Sequence, residues 1–379
     1  MKKILALVLV MCMVFALCAC GSSTTQAAEK AEETVEAAAE TAEAAAETAE
    51  AAVETAAEAV EEAVETATEA PASIKVGMVT DVGGVNDQSF NQTAWEGLSK
   101  LGAENSAVEV AYLESSTDAD YSSNIQTFLD EDYDLIICVG YMLADATREA
   151  AQENPDQKFA IIDDATNADL DNVACLMFSQ EQASYLVGVV AGLMTKSNTV
   201  GYVQGMISDT MNLFGIGYIA GVQSVNPDCT VLQYNANSFA DSAAGSAAAT
   251  DMITKGADVI YHAAGGTGAG VISACESNGI YAIGVDSDQN YMAPNTVVTS
   301  AMKRVDNASI DIALAVLNGT YTGGVHQYDL SNGGVDIAPT TTLLPDDVLA
   351  AVEAAKADIL AGNVTVPTAA ADVPAFTLK

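Results

Sequence analysis

The chain is poor in basic residues and in histidine. Only 13 of its 379 residues are Lys or Arg, against 52 Asp or Glu, which gives a formal net charge of −39 at pH 7. A field of this sign repels phosphate groups, so we expect no nucleic-acid partner. The histidines, His262 and His326, lie near no Ser or Cys nucleophile motif, and GxSxG is absent. Hydrolysis through such a nucleophile is therefore not expected.

Cysteine is scarce beyond the first twenty residues. Four remain, namely Cys138, Cys175, Cys229 and Cys275, and no CxxC or Cys/His cluster occurs. We therefore expect no metal site, and nothing else in the sequence points to a cofactor. The apolar runs around Cys138 and Cys175 favour buried free thiols, while one disulfide stays open as the alternative.

The N-terminus carries a short apolar run behind two lysines. Lys2 and Lys3 precede residues 4–17, which are too few to span a bilayer comfortably and are typical of a signal peptide. The sequence LCAC at 17–20 resembles a bacterial lipoprotein box with Cys20 as the lipidated residue. Residues 1–20 are thus predicted to be a lipoprotein signal peptide, and the mature protein to be held on the extracytoplasmic face of the membrane by acyl chains. An ordinary secretory signal is the alternative.

Residues 21–72 form a low-complexity segment of Ala, Glu, Thr and Val. The near-repeats TAEAAAE, TAEAAVE and TAAEAVE contain almost no Lys to pair with Glu, which favours a self-repelling, partly helical tether over a coiled coil. Setting aside its 14 Glu and one Lys, and the two signal lysines, leaves a net charge of −28 on residues 73–379.

From Ile74 onward, apolar runs alternate with amphipathic stretches. The runs that predict strands are IKVGMV, VEVAYL, LIICVG, FAIID, VACLMF, TVGYVQG, TVLQYN, VIYHAA, YAIGVD and VVTSAM. Such alternation predicts an α/β fold with parallel sheets covered on both faces. About 300 residues exceed one core of this kind, so two lobes are expected.

The expected division places the first lobe at 73–178 plus about 302–325. The second lobe is expected at 179–301, and residues 326–379 are expected to pack across both lobes. The boundary near 178 follows from the end of the run NVACLMF, after which a new helix begins.

Polar residues follow several of the predicted strands at their carboxyl ends. They are Asp81, Asp163 with Asp164, the glycines of GGTGAG, Asp286 and Lys303. Ligands of open α/β sheets bind beyond the carboxyl ends of the strands. These residues are therefore predicted to share one binding site. Ser89 with Gln92 also predicts a capping box at the helix that follows Asp81.

Five stretches resemble, in order and spacing, the motifs of the basic membrane protein family. They are TDVGGVNDQSFNQTAWEG, PDQKFAIID, ADVIYHAAGGTGAGVISA, IGVDSDQ and VTSAMKRVD, and the resemblance covers 74–325. The family comprises bacterial lipoproteins, including purine-nucleoside receptors, with a type 1 periplasmic-binding-protein fold of two doubly wound lobes joined by a hinge. The resemblance implies a monomeric nucleoside-binding component of an ABC importer, with permease and ATPase subunits as partners and no enzymatic activity.

The resemblance also assigns roles to individual residues. Asp81 and Asn91 would hydrogen-bond the purine edge, Phe90 would stack on the base, and Tyr261 would stack on its other face. Phe214 is a reserve candidate for stacking.

Ribose would be held by Asp163, Asp286, Lys303 and the backbone at Gly266, with Asp164 as the alternative to Asp163. Two further functions stay open: the same fold binding a sugar or serving as a sensor, and a nucleoside hydrolase that uses paired Asp residues. Release of free base from a nucleoside would identify the hydrolase.

Overall fold

A computed structural model describes residues 73–378. The predicted signal peptide, the lipidation site Cys20 and the tether at 21–72 lie outside the described residues. The described residues form two six-stranded sheets.

The first sheet is entirely parallel. Its strands are β1 (Ile74–Val79), β2 (Val108–Leu113), β3 (Leu135–Val139), β4 (Lys158–Ile162), β5 (Val173–Phe178) and β11 (Gly324–Tyr328). Their spatial order is β11-β5-β4-β3-β1-β2. All five residues of β3 are buried, as expected for a central strand covered on both faces.

The second sheet repeats this order. Its strands are β6 (Thr199–Gln204), β7 (Thr230–Asn235), β8 (Val259–Ala263), β9 (Tyr281–Asp286), β10 (Val297–Lys303) and β12 (Val335–Ile337). Their spatial order is β12-β10-β9-β8-β6-β7, and only β12 runs antiparallel to its neighbour. The predicted α/β architecture with two sheets is confirmed.

The helices cover both faces of each sheet. Around the first sheet lie α1 (Phe90–Glu104), α2 (Tyr121–Asp130), α3 (Ala144–Glu153) and α8 (Val305–Leu317). Around the second lie α4 (Gln180–Met194), α5 (Asp209–Val225), α6 (Ser242–Thr254), α7 (Thr267–Asn278) and α9 (Asp346–Leu360). The pairs α1–α8, α4–α5 and α6–α7 pack closely. None of the helices within 73–378 is long and apolar enough to cross a lipid bilayer.

The chain passes between the two lobes three times. It leaves the first sheet after Phe178, returns after Lys303, and passes again between β11 and β12. Strand β10 belongs to the second sheet as far as Lys303, so the return lies two residues beyond the expected end of the second lobe at 301.

The C-terminal end of the chain is fastened to the edge strand β7. The Gln233 side chain donates to the Ala375 carbonyl at 2.7 Å and accepts from the Thr377 N–H at 2.9 Å. Phe376 between them is only 1% exposed. A Cβ on Gly215 would lie 2.6 Å from its ring, so any side chain at position 215 would clash with Phe376.

The four cysteines of the described region are free and buried. Burial raises the pKa of the Cys138 and Cys275 thiols to about 12. They are therefore protonated, unreactive parts of the core at neutral pH.

Candidate functional site

A cleft lies where the carboxyl ends of both sets of strands face each other. It contains about 500 Å³ of space free of protein atoms, part of it continuous with solvent. The first lobe contributes Asp81, Phe90, Asn91, Gly140, Tyr141 and Asp163. The second contributes Phe214, Phe239, Ala263, Gly265, Asp286 and Lys303.

Seven of the nine predicted ligand-binding residues line this cleft. They are Asp81, Phe90, Asn91, Asp163, Phe214, Asp286 and Lys303. These residues meet because each of them ends a strand or lies in the turn or helix that follows one, and the carboxyl ends of the strands face the cleft.

Tyr261 lies elsewhere, and its predicted stacking role is corrected. The ring is fully buried, with centroids 5.5 Å from Tyr202 and 5.1 Å from Tyr218. Its hydroxyl lies 3.1 Å from Ser184 Oγ on α4. Position 261 is two residues before the end of β8, deep in the sheet beneath α4, whereas the strand end at Ala263 and the turn after it reach the cleft.

Gly266, which was predicted to contact ribose, is also outside the lining of the cleft. Its neighbour Gly265 lines the cleft instead. Gly265 has φ +53°, a conformation that glycine adopts without steric cost. Gly266 instead approaches the opposite lobe, since a Cβ there would lie 3.7 Å from the Asp87 Cα.

Two aromatic residues of the lining, Phe239 and Tyr141, were missed in the sequence. Phe239 lies in the loop after β7, and a Cβ on Gly205 would approach its ring to 2.4 Å. Tyr141 begins the turn after β3. Both residues follow the carboxyl end of a strand. Their position after a strand was therefore the signal in the sequence that could have identified them.

Asp87 caps α1, which corrects the predicted Ser89–Gln92 capping box. Its carboxylate accepts from the backbone N–H groups of Ser89 at 2.9 Å, Asn91 at 2.9 Å and Gln92 at 3.1 Å. Ser89 makes no capping bond and instead donates from Oγ to Asp286 in the other lobe. The carboxylate is the stronger acceptor for three N–H groups, which leaves the hydroxyl free to bridge the lobes.

Asp163 and Asp286 occupy equivalent positions in the two lobes. Asp163 follows β4 directly and Asp286 is the last residue of β9, and the two strands have the same place in the two sheet orders. Both have left-handed backbones, with φ of 69° and 64°. Asp163 rather than Asp164 lines the cleft, because Asp164 accepts from the Thr166 N–H in its own turn.

Lys303 is the cation of this cluster. Its side chain is 2% exposed, and its ammonium group pairs with Asp163 Oδ2. The same nitrogen lies 4.5 Å from the Phe90 ring centroid and 5.7 Å from that of Phe214. The other carboxylate oxygen, Asp163 Oδ1, is buried and has no hydrogen-bond partner within residues 73–378.

Negative charge outweighs positive charge in the cleft. Burial raises the pKa of Asp81 to about 6 and that of Asp286 to about 7. It also raises the pKa of Asp163, although the Lys303 ammonium opposes that change. A phosphate group would meet these carboxylates, so the arrangement favours a neutral ligand that donates hydrogen bonds.

Hydrogen bonds cross directly between the lobes beside the cleft. Besides the contact of Ser89 with Asp286, Gln289 Nε2 donates to the Gln88 carbonyl at 2.8 Å. Thr210 Oγ1 donates to the Asp163 carbonyl at 3.3 Å. The two lobes are therefore in direct contact around the cleft.

Comparisons with known proteins agree with this geometry. The Bmp family model, described as "ABC transporter substrate-binding protein PnrA-like", matches residues 74–369. A "CD4+ T-cell-stimulating antigen" of Listeria monocytogenes is 42% identical over 313 residues, covering 77% of this chain and 87% of the relative. The "ABC transporter nucleoside-binding protein BmpA" of Lactococcus lactis is 38% identical over 317 residues, covering 78% and 89%. A solute-binding protein of an ABC transporter system from Aeropyrum pernix superimposes with a TM-score of 0.71 at 28% identity, covering 78% and 94%.

Proposed function

The chain belongs to the Bmp family of PnrA-like ABC transporter substrate-binding proteins, and from this premise we propose that it captures a purine nucleoside outside the cytoplasm for import. In this proposal a lipid anchor at Cys20 holds a monomer at the membrane, and the tether at 21–72 gives it reach. The loaded protein delivers its ligand to permease and ATPase subunits. The relative from Lactococcus lactis, whose name describes a nucleoside-binding protein, supports the ligand class.

The base stacks between Phe90 and Phe214. The two rings reach the cleft from different lobes, and each lies within 6 Å of the Lys303 ammonium. Phe239 supplies a third ring at the same cleft. Stacking contributes about 1–3 kcal/mol for each base face in nucleic-acid complexes, and a ligand held this way draws the lobes together.

The ribose hydroxyls donate to Asp163 and Asp286. The observation that carries the proposal is Asp163, a residue of the cleft lining whose Oδ1 is a buried acceptor without a partner in the described chain. A buried acceptor without a donor is costly, so a hydroxyl of the ligand fits there. Lys303 balances the two carboxylates and can donate to the ribose.

The test is calorimetry of the purified protein with inosine, guanosine, adenosine, uridine and ribose. We expect purine nucleosides to bind with micromolar or lower Kd. Phe90→Ala and Asp163→Asn should each weaken binding at least tenfold, because they remove a stacked face and a charged acceptor. Asp164→Asn is the matched control and should leave Kd unchanged.

Equal affinity for ribose and inosine would contradict the role of the rings. Absence of binding to every nucleoside would contradict the proposal itself. Chromatography after incubation with inosine addresses the hydrolase alternative, since a transport component returns the nucleoside intact.

A further inference from the structure

Gln289 reaches from the second lobe to the first without lining the cleft. Its side-chain Nε2 donates to the Gln88 backbone carbonyl at 2.8 Å. The Gln289 side chain is buried, with 1% of the residue exposed, and neither Gln88 nor Gln289 belongs to the cleft lining. This hydrogen bond therefore joins the lobes at a place where a ligand in the cleft makes no contact.

Two donors of the second lobe fix the orientation of the Gln289 amide. Its Oε1 accepts from the Val285 backbone N–H at 2.9 Å and lies 3.1 Å from His262 Nε2. Because the Val285 N–H can only donate, the atom that faces it is the amide oxygen, and His262 must then carry its proton on Nε2. The NH₂ group of Gln289 is left to face the first lobe.

His262 stays neutral in this position. The ring is fully buried, and burial lowers its pKa to about 4. Its Nδ1 has no hydrogen-bond partner within 73–378, as expected for the ring nitrogen that carries no proton. A Cβ on Gly268 would lie 2.0 Å from Nδ1, so the backbone of α7 packs directly against that side of the ring.

The neighbouring strands and the opposite turn also fit this contact. The Gln289 backbone N–H donates to Ser300 Oγ at 3.1 Å. A Cβ on Gly284 would lie 2.6 Å from Gln289 Oε1, so a side chain at position 284 would displace the amide. In the first lobe, Gln88 has φ of 56°, a left-handed backbone that costs free energy in a residue other than glycine. Both partners are therefore held in place by their own lobes.

We propose that Gln289 is a positioning residue for ligand retention, whose hydrogen bond to Gln88, with the amide oriented by His262, holds the lobes together from outside the cleft. We call this contact the interlobe latch. Its link to nucleoside retention rests on the proposed function. Separation of the lobes breaks the latch, so its loss should favour the open form and speed the departure of the ligand.

Gln289→Met removes the latch and keeps the length of the side chain. We expect the Kd for inosine to rise by about three- to thirtyfold, carried mainly by faster dissociation in stopped-flow measurements. Gln233→Met is the matched control, because the amide of Gln233 makes its hydrogen bonds within the second lobe, to Ala375 and Thr377. The control should leave both quantities unchanged.

Spin labels at Ser122→Cys on α2 and Ser242→Cys on α6 report the distance between the lobes. Both positions are exposed. The two helices follow the edge strands β2 and β7, which lie at the opposite ends of their sheets from β11 and β12. By pulsed EPR, with the protein lacking the introduced cysteines as background, Gln289→Met should show a longer mean distance without ligand than the unaltered protein.

Unchanged dissociation together with unchanged distances would overturn the inference, even where urea denaturation shows that Gln289→Met is less stable. A change in either quantity that Gln233→Met does not share supports it. Absence of inosine binding by the unaltered protein would overturn the proposed function, and the distances in the ligand-free protein would then decide the inference.

The unaltered protein offers a second check that needs no change at Gln289. The chain contains two histidines, His262 and His326, so the ¹⁵N spectrum of histidine-labelled protein is simple, and His326→Gln assigns its signals. At pH 7 we expect His262 to be neutral with its proton on Nε2. A proton on Nδ1 would overturn the inference, because the Gln289 amide would then be reversed and would present its oxygen to the Gln88 carbonyl.

Discussion

At the scale of single residues, the cleft brings together ionisable groups whose burial and backbone conformation cost free energy. Asp163 and Asp286 are buried, adopt left-handed backbones and share Lys303 as their nearby cation. Such conformations cost free energy in residues other than glycine and persist where the rest of the fold enforces them. The two lobes thus each supply one carboxylate, and neither lobe alone holds the pair.

Stability should depend on pH through Asp286. Its pKa in the folded protein, about 7, lies above the ordinary value of 3.8, so the folded state holds the proton more tightly. The resulting contribution to the free energy of unfolding is present below pH 4 and is lost as the pH rises through 7. Asp286→Asn should therefore stabilise the ligand-free protein by about 1–3 kcal/mol at pH 8 and not at pH 4.5, measured by urea denaturation.

Asp288→Asn removes the same charge outside the lining of the cleft and serves as the control. Equal changes at the two pH values would contradict the prediction. Because Asp286 is also proposed to bind ribose, the stabilised variant should bind inosine more weakly.

The predicted residues that line the cleft share a place at or after the end of a strand. Asp81, Asp163 and Lys303 are found this way because burial of parallel strands is visible as apolar runs. Tyr261 was misplaced because it lies two residues before the end of β8, too deep in the sheet to reach the cleft, and the rings that enclose it there, such as Tyr218, lie far along the chain. Phe239 also follows a strand, but it lies four residues beyond the end of β7, inside a longer loop.

At the scale of elements, the ten predicted strands are all present, whereas β11, β12 and α9 were missed. The alternation of exposed and half-buried residues in β11 gives a weak apolar signal. Strand β12 has only three residues. Both lie at sheet edges and form through pairing with β5 and β10, which is tertiary context that a local pattern does not contain.

The C-terminal segment should stabilise the second lobe through one side chain. Phe376→Ala is expected to lower the free energy of unfolding by about 3–5 kcal/mol, because it removes a buried ring and leaves a cavity beside Gly215 and Tyr202. Denaturation by urea measures the change. Leu360→Ala, at a half-exposed position on α9, is the control and should cost less than about 1 kcal/mol. Similar losses for both variants would contradict this role of Phe376.

At the scale of the whole molecule, the predicted family and fold class are confirmed. The two lobes meet through direct hydrogen bonds around the cleft, and the chain crosses between them three times. Closure of two such lobes around a ligand is a hinge motion, in which contacts between the lobes favour the closed form independently of the ligand.

Thr210→Val should therefore weaken nucleoside binding without touching the rings or carboxylate oxygens. It removes the hydroxyl that donates to the Asp163 carbonyl across the cleft. We expect about a two- to tenfold rise in Kd for inosine, carried mainly by faster dissociation in stopped-flow measurements. Thr254→Val removes a hydroxyl bond within one helix and should leave both quantities unchanged. A slower dissociation in Thr210→Val would refute this role.

Lys303 is the last residue of β10, and the backbone enters the first lobe immediately afterwards. The side chain that balances the charge of the cleft thus lies at one of the three places where the chain passes between the lobes. A ligand with its own positive charge could balance the carboxylates of the cleft in place of the Lys303 ammonium. We expect that replacing Lys303 to admit a cationic ligand would also affect the connection between the lobes, because the same residue balances the charge of the cleft and ends the strand from which the chain crosses.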